Sequence, residues 1–202
     1  MYQKPFLSRK QKQPSLERQK EMDNILWGHT IQVFCDCSIS ADKKLLGLAA
    51  SFVGLGNIIV KSKKIYPNIE ITPVIGEFMA ILLVFDHIQA YIAEAQNMTV
   101  QSIDTITIYS DLQQVEDGLN KKIWTKNKKI APLIDEILSK MTELSENRNL
   151  HFTINSMSRE EKKFNPFYEI AENTCDFRHE MNRLRTRRVL GHVNCPTYLV
   201  CI

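Results

Sequence analysis

The sequence predicts an α/β domain in which a five-stranded mixed sheet, beginning with three antiparallel strands, is flanked by helices. Two observations lead to this fold class. Three apolar, β-branched segments follow one another with no helical pattern between them, which is typical of strands joined by hairpins. Further along the chain, segments of strand length alternate with segments of helical periodicity, which favours strands that are covered by helices.

The three opening strands are predicted between residues 31 and 66. Residues 31–38 are mostly apolar and β-branched, and residues 46–55 and 58–66 continue the pattern. Gly54 and Gly56 between the second and third strands supply the turn chemistry of a hairpin. We therefore expect these strands to form the antiparallel part of the sheet.

The remaining elements are predicted from apolar periodicity and from capping residues. Residues 74–95 form the longest helix by pattern, residues 105–110 a fourth strand and residues 112–119 a short helix. A further amphipathic helix begins near Pro132, which is favourable in a first turn. Residues 151–156 form the fifth strand.

The last helix is predicted to begin at Asn165 and Pro166, a plausible cap and first-turn pair, after a polar loop at residues 157–165. The whole chain of 202 residues is long enough to bury a core. We expect a basic N-terminal arm at residues 1–26, one domain at residues 27–182, and a basic and apolar tail at residues 183–202.

The composition predicts a cytoplasmic protein without a membrane partner. The start of the chain lacks the apolar core of a signal peptide, and no apolar run is expected to reach membrane-spanning length. The five cysteines form no CxxC pair, and Cys35 and Cys37 of the first strand are expected to be free core thiols, which suits a reducing compartment. The oligomeric state does not follow from the sequence.

Basic residues cluster although the net charge is only +3. Clusters lie in the first twenty residues, at residues 121–129 and at residues 183–188. Each is either the electrostatic footprint of a phosphate backbone or a solvated face. Trp124 among the lysines of the middle cluster either stacks on a nucleic acid or anchors its loop onto the core.

Three carboxylates stand where a carboxylate needs a partner. Asp36 lies in the first strand, and strand interiors disfavour aspartate. Glu77 projects within about 40° of Ile81 and Ile88 on a helix, so it is paired, protonated or metal-bound unless it lies at the margin of the apolar stripe. Asp111 directly follows the fourth strand, where a helix-capping role is the alternative.

The segments around these acids resemble the ribonuclease H family. Residues 108–119 resemble the family segment in which a strand ends in Ser/Thr-Asp-Ser and enters a short helix. Residues 34–38, Phe-Cys-Asp-Cys-Ser, are similar to the opening strand, where Asp-Gly-Ser is usual. Residues 76–80 fall where the family has an acid opening its longest helix. Residues 168–173, Tyr-Glu-Ile-Ala-Glu-Asn, are similar to the last helix, commonly Asn-Glu-x-Ala-Asp.

The resemblance spans about residues 30–180 and implies a ribonuclease H-like fold. It also implies a metal-dependent endonuclease that cuts the RNA strand of an RNA/DNA hybrid with two divalent ions, Mg²⁺ or Mn²⁺. Carried over position by position, the catalytic and metal-binding residues are Asp36, Glu77, Asp111 and Glu172, with Glu169 and Asp176 as alternatives for the fourth. The residues expected to contact substrate are Ser38, Lys122, Trp124 and Lys126.

The sequence departs from the family in ways that keep other functions open. Cys37 replaces the usual glycine, Glu172 stands where Asp is commoner, and residues 157–165 lack the mobile histidine of many members. Arg159, Glu160 or Lys162 could substitute for it. The alternatives are a catalytically weak or inactive relative that binds nucleic acid or protein, a nuclease acting on structured DNA or single-stranded RNA, and a structural scaffold.

Overall fold

The computed structural model describes residues 15–40, 44–67, 70–98, 103–163 and 165–176, and a five-stranded mixed sheet lies at its centre. The strands are β1 (Ile31–Ser40), β2 (Leu45–Gly54), β3 (Asn57–Ile65), β4 (Thr105–Ser110) and β5 (His151–Ser156). Their order is β3-β2-β1-β4-β5, with β1, β2 and β3 antiparallel and β1, β4 and β5 parallel. The predicted fold class is confirmed.

Six helices accompany the sheet in the described part of the chain. They are α1 (Leu16–Trp27), α2 (Pro73–Met98), α3 (Val115–Leu119), α4 (Ala131–Arg148), α5 (Arg159–Lys163) and α6 (Pro166–Cys175). The predicted short helix at residues 112–119 starts three residues late, because Leu112 forms a turn in which its carbonyl accepts from the amide of Val115.

The prediction of a polar loop at residues 157–165 was wrong in part, because α5 lies within this segment. The amide of Ser158 donates to the Glu161 carboxylate over 2.7 Å, and the amide of Glu161 donates to the Ser158 hydroxyl over 3.2 Å. This reciprocal capping box satisfies amides that a short helix leaves unpaired. It stabilises one helical turn between β5 and α6.

The helices cover both faces of the sheet. Successive side chains of a strand point to opposite faces, so each strand contributes to the core on either side. Val33 and Cys35 of β1 belong to the larger core, which α2 and α4 complete. Phe34 belongs to a second core beneath α1 and α6. β1, in the middle of the sheet, is therefore buried from both sides.

The core helix α2 is long and apolar enough over Pro73–Ala95 to cross a membrane. The expectation that no segment reaches that length was wrong. Most of this segment is buried inside the fold, and Phe78, Ile81 and Ile88 are fully enclosed. Packing against the sheet accounts for the apolar composition of α2.

The ends of the chain are described only in part. Residues 15–26 of the predicted arm include most of α1, which begins at the Ser15 cap and buries Leu26. Residues 1–14 and the predicted tail at residues 183–202 lie outside the described residues. The three cysteines within the described part, Cys35, Cys37 and Cys175, are free thiols, as predicted for Cys35 and Cys37.

We predict that Asn165→Ala lowers the free energy of unfolding by about 1–2 kcal/mol. The Asn165 side chain is buried and its oxygen accepts from the amides of Phe167 and Tyr168, both over 3.0 Å. Alanine leaves both amides unpaired at the start of α6. Urea unfolding measures the loss, and Asn165→Ser, which keeps a capping oxygen, should restore much of it. Equal losses in the two variants would contradict the capping role.

Candidate active site

The register of the parallel strands brings Asp36 and Asp111 together. β1 and β4 pair up to Phe34 and Tyr109, so each aspartate follows two residues after this last pair. Asp36 is only 6% exposed, whereas the Asp111 side chain is 40% exposed. The two carboxylates therefore lie just beyond the end of the β1–β4 pairing, one inside the fold and one at its surface.

Glu77 reaches the same end of the sheet from the first turns of α2 and is 7% exposed. The Ser110 hydroxyl donates to Glu77 Oε2 over 2.8 Å, and the Cys37 thiol donates to Oε1 over 3.2 Å. A Cβ added at Gly76 would lie 2.5 Å from Cys37 Sγ. α2 thus approaches β1 closely, with a glycine on the helix opposite the cysteine on the strand.

α6 supplies the partners of Asp36. The Tyr168 hydroxyl donates to Asp36 Oδ1 over 3.1 Å, and the Cys175 thiol donates to Oδ2 over 3.2 Å. Residues seven apart share one face of a helix, so this face of α6 is directed at Asp36. Sequence reasoning missed both donors, because tyrosine and cysteine in an apolar helix are typical core residues.

Asp111 is paired with a lysine. Lys162 Nζ of α5 lies 2.5 Å from Asp111 Oδ1 and 5.7 Å from the centre of the Tyr168 ring. Of the three residues considered as substitutes for a histidine, Lys162 is thus beside a predicted catalytic carboxylate. Arg159 and Glu160 are exposed on α5.

Burial and mutual repulsion raise the pKa values of the two buried carboxylates, Glu77 and Asp36. Burial raises the pKa of Glu77 to about 7, and the charges of Asp36 and Asp111 add to the effect. Burial likewise raises the pKa of Asp36 to about 6, with contributions from the charges of Glu172 and Asp111. Their hydrogen-bond donors oppose this rise in both cases.

The three candidates for a fourth acid differ in position on α6. Glu172 is exposed, and its charge acts on Asp36 from the helix face that carries Tyr168 and Cys175. Glu169 is half-buried, and burial followed by the charge of Glu172 raises its pKa. Asp176 is half-buried at the end of the helix. The predicted four acids are therefore within electrostatic reach of one another, with Glu172 at the rim.

The residues expected to contact substrate lie in different environments. Ser38 is half-buried in β1. Trp124 is half-buried and packs edge-on against Phe78, with 5.6 Å between ring centres. This contact agrees with the alternative in which Trp124 anchors its loop onto the core. Lys122 pairs with Asp117 at the surface, and Lys126 is exposed.

Carboxylates are suitable ligands for Mg²⁺ or Mn²⁺, since hard cations prefer oxygen. In this structure, however, each of the three carboxylates is already paired with hydrogen-bond donors or a lysine of the chain itself. In the described ranges between residues 15 and 176, no three His, Cys, Asp or Glu side chains are grouped as metal ligands. The oxygen donors of these carboxylates fit divalent cations.

The strand order and the helices on both faces of the sheet define a ribonuclease H-like α/β domain. No protein-family model matches the chain, and no curated protein matches it either. Solved structures do match it.

LC11 RNase H1, isolated from compost by a metagenomic approach, matches with a TM-score of 0.54 and 14% identity over 72% of this chain and 92% of that one. RNase H1 from Halobacterium salinarum matches with a TM-score of 0.47 and 16% identity over 71% and 98%. The likeness to LC11 RNase H1 shows that this chain has the ribonuclease H-like fold.

Proposed function

We propose that the chain is a metal-dependent endonuclease that hydrolyses the RNA strand of RNA/DNA hybrids. The observation that carries the proposal is the meeting of Asp36, Glu77 and Asp111 at one end of the sheet, with two of them buried and raised in pKa. Buried acids that repel one another are costly to the fold. Divalent cations offset that cost and hold the acids in their charged form.

Asp36, Glu77 and Asp111, completed by Glu172, are the proposed ligands of two Mg²⁺ or Mn²⁺ ions. Two bound ions of this kind supply an activated water and stabilise the leaving oxygen of a phosphodiester. The chain itself positions the ligands. Ser110 orients Glu77 from β4, and Tyr168 orients Asp36 from α6.

A hybrid duplex is the proposed substrate for two reasons. The sequence resembles ribonuclease H, and the fold is that of LC11 RNase H1. Recognition of such a duplex relies on backbone shape and 2′-hydroxyls more than on base edges. Lys122 and Lys126, both exposed, are the proposed backbone contacts.

The test is cleavage of an end-labelled RNA/DNA hybrid with Mg²⁺ or Mn²⁺. We expect cuts in the RNA strand that cease with EDTA and with Asp111→Asn, because Asp111 is a proposed metal ligand whose side chain is 40% exposed. Asp86→Asn, at an exposed acid of α2 paired with Lys140, is the matched control and should keep full activity. Cleavage that persists in Asp111→Asn or in EDTA would rule out this centre as its source.

One observation favours a second function, a non-catalytic module that binds nucleic acid or protein. Both oxygens of Asp36 and both oxygens of Glu77 already accept hydrogen bonds from the chain. Such a centre can be stable without metal. Hybrid binding without cleavage would support this alternative, whereas cutting of single-stranded RNA or structured DNA in a substrate panel would indicate a different nuclease.

A further inference from the structure

In the part of the chain that the structure describes, Lys162 places a positive charge directly beside the carboxylate centre. Lys162 Nζ is 2.5 Å from Asp111 Oδ1, and the Lys162 side chain is 22% exposed against 40% for Asp111. A partly buried pair is screened less by salt than a pair in open solvent. Asp111 is also the most exposed of the three carboxylates at this end of the sheet, so it is the one that a cation from solution meets first.

A second contact ties the same ammonium to the inner part of the centre. Lys162 Nζ lies 5.7 Å from the Tyr168 ring centre, a distance at which a cation is attracted to an aromatic face. The hydroxyl of that tyrosine donates to Asp36. Lys162 therefore lies between the surface aspartate and the residue that holds the buried one.

The helix that carries Lys162 is held in place from two sides. The Ser158–Glu161 capping box stabilises α5 itself. The guanidinium of Arg18, on α1, donates to the main-chain oxygen of Glu161 over 3.2 Å and pairs with Glu21. These contacts fix the backbone of α5, and with it the position from which Lys162 reaches Asp111.

We propose that Lys162 is an intrinsic cation of the centre that competes with a divalent metal for Asp111. This inference rests on the proposed function for the choice of ligand, a hard divalent cation. A metal ion on Asp111 would lie within a few ångströms of the ammonium, and like charges about 4 Å apart repel one another at a partly buried site. Metal binding therefore requires the Lys162 side chain to leave the carboxylate, which lowers the affinity of the centre for metal.

The experiment is a titration of the full chain with Mn²⁺, followed by electron paramagnetic resonance and by calorimetry. Lys162→Met removes the charge and keeps most of the apolar stem, and Lys162→Gln is a second neutral variant. We expect both to bind Mn²⁺ at least about tenfold more tightly than the unsubstituted chain. Lys162→Arg keeps the charge and should stay close to the unsubstituted affinity.

Lys163→Met is the matched control, since it removes the same charge from the adjacent position of α5. It should change Mn²⁺ affinity by less than about threefold. Equal affinity in the Lys162→Met and unsubstituted chains, an equal gain in Lys163→Met, or no Mn²⁺ binding by any variant would overturn the proposal. Thermal unfolding in EDTA confirms that each variant is folded.

Metal affinity as the readout separates this inference from the proposed function. Tighter Mn²⁺ binding by Lys162→Met without hybrid cleavage would uphold the intrinsic cation and reject the nuclease. Hybrid cleavage by the unsubstituted chain, together with equal Mn²⁺ affinity in the unsubstituted and Lys162→Met chains, would support the nuclease function and reject the competition between Lys162 and metal.

Discussion

Phe34→Ala is expected to lower the free energy of unfolding by about 3–5 kcal/mol, the usual range for removing a buried phenylalanine. The ring is 1% exposed. It stacks on Tyr109 of β4 with 5.2 Å between ring centres and faces Phe167 of α6 at 6.0 Å. Its removal leaves a cavity between the sheet and α6. Because α6 also carries Tyr168 and Cys175, the partners of Asp36, the variant should loosen the acid centre as well.

Urea unfolding in EDTA, followed by circular dichroism, measures this loss without any contribution from bound metal. Ile39→Ala on the same strand is the matched control. Ile39 is 36% exposed, so its truncation should cost less than about 1 kcal/mol. A loss below about 1.5 kcal/mol for Phe34→Ala would mean that the second core collapses around the missing ring.

Much of the fold was predictable because its strands have strong local signals. β4 and β5 have the predicted bounds, and the cap at Asn165 places the start of α6 correctly. The acids Asp36 and Glu77 were identifiable because they do not fit the local pattern around them. Each is a charge in an otherwise apolar segment, and such a residue requires a partner that only the tertiary structure can provide.

The partners of the acids were much harder to predict, because they depend on how separate elements meet. Tyr168 and Cys175 reach Asp36 only because α6 packs across β1. The pairing of Lys162 with Asp111 depends on α5, which lies where the sequence predicts a polar loop. The Ser158-x-x-Glu161 spacing of a capping box was the available signal for that helix.

The stability of the metal-free protein is expected to fall as the pH rises from about 4.5 to 7, by about 2–3 kcal/mol from Glu77. The folded pKa of Glu77 is raised from 4.5 to about 7. Unfolded chains therefore lose this proton at a lower pH than folded chains, and ionisation favours unfolding throughout that interval. Asp36, raised from 3.8 to about 6, adds a loss in the same direction at lower pH.

Glu77→Gln separates this effect from the titration of the other acids. A neutral side chain keeps an oxygen acceptor for Ser110 and has no proton to lose, so the variant should be more stable than the unsubstituted chain at pH 8 in EDTA by about 2 kcal/mol. At pH 4.5 the two should be nearly equal. Urea unfolding across this pH range measures both profiles, with the exposed Glu94→Gln of the same helix as control. Parallel profiles for the Glu77→Gln and unsubstituted chains would mean that folding does not raise the pKa of Glu77. The cost that the proposed metal ions relieve would then lie elsewhere in the centre.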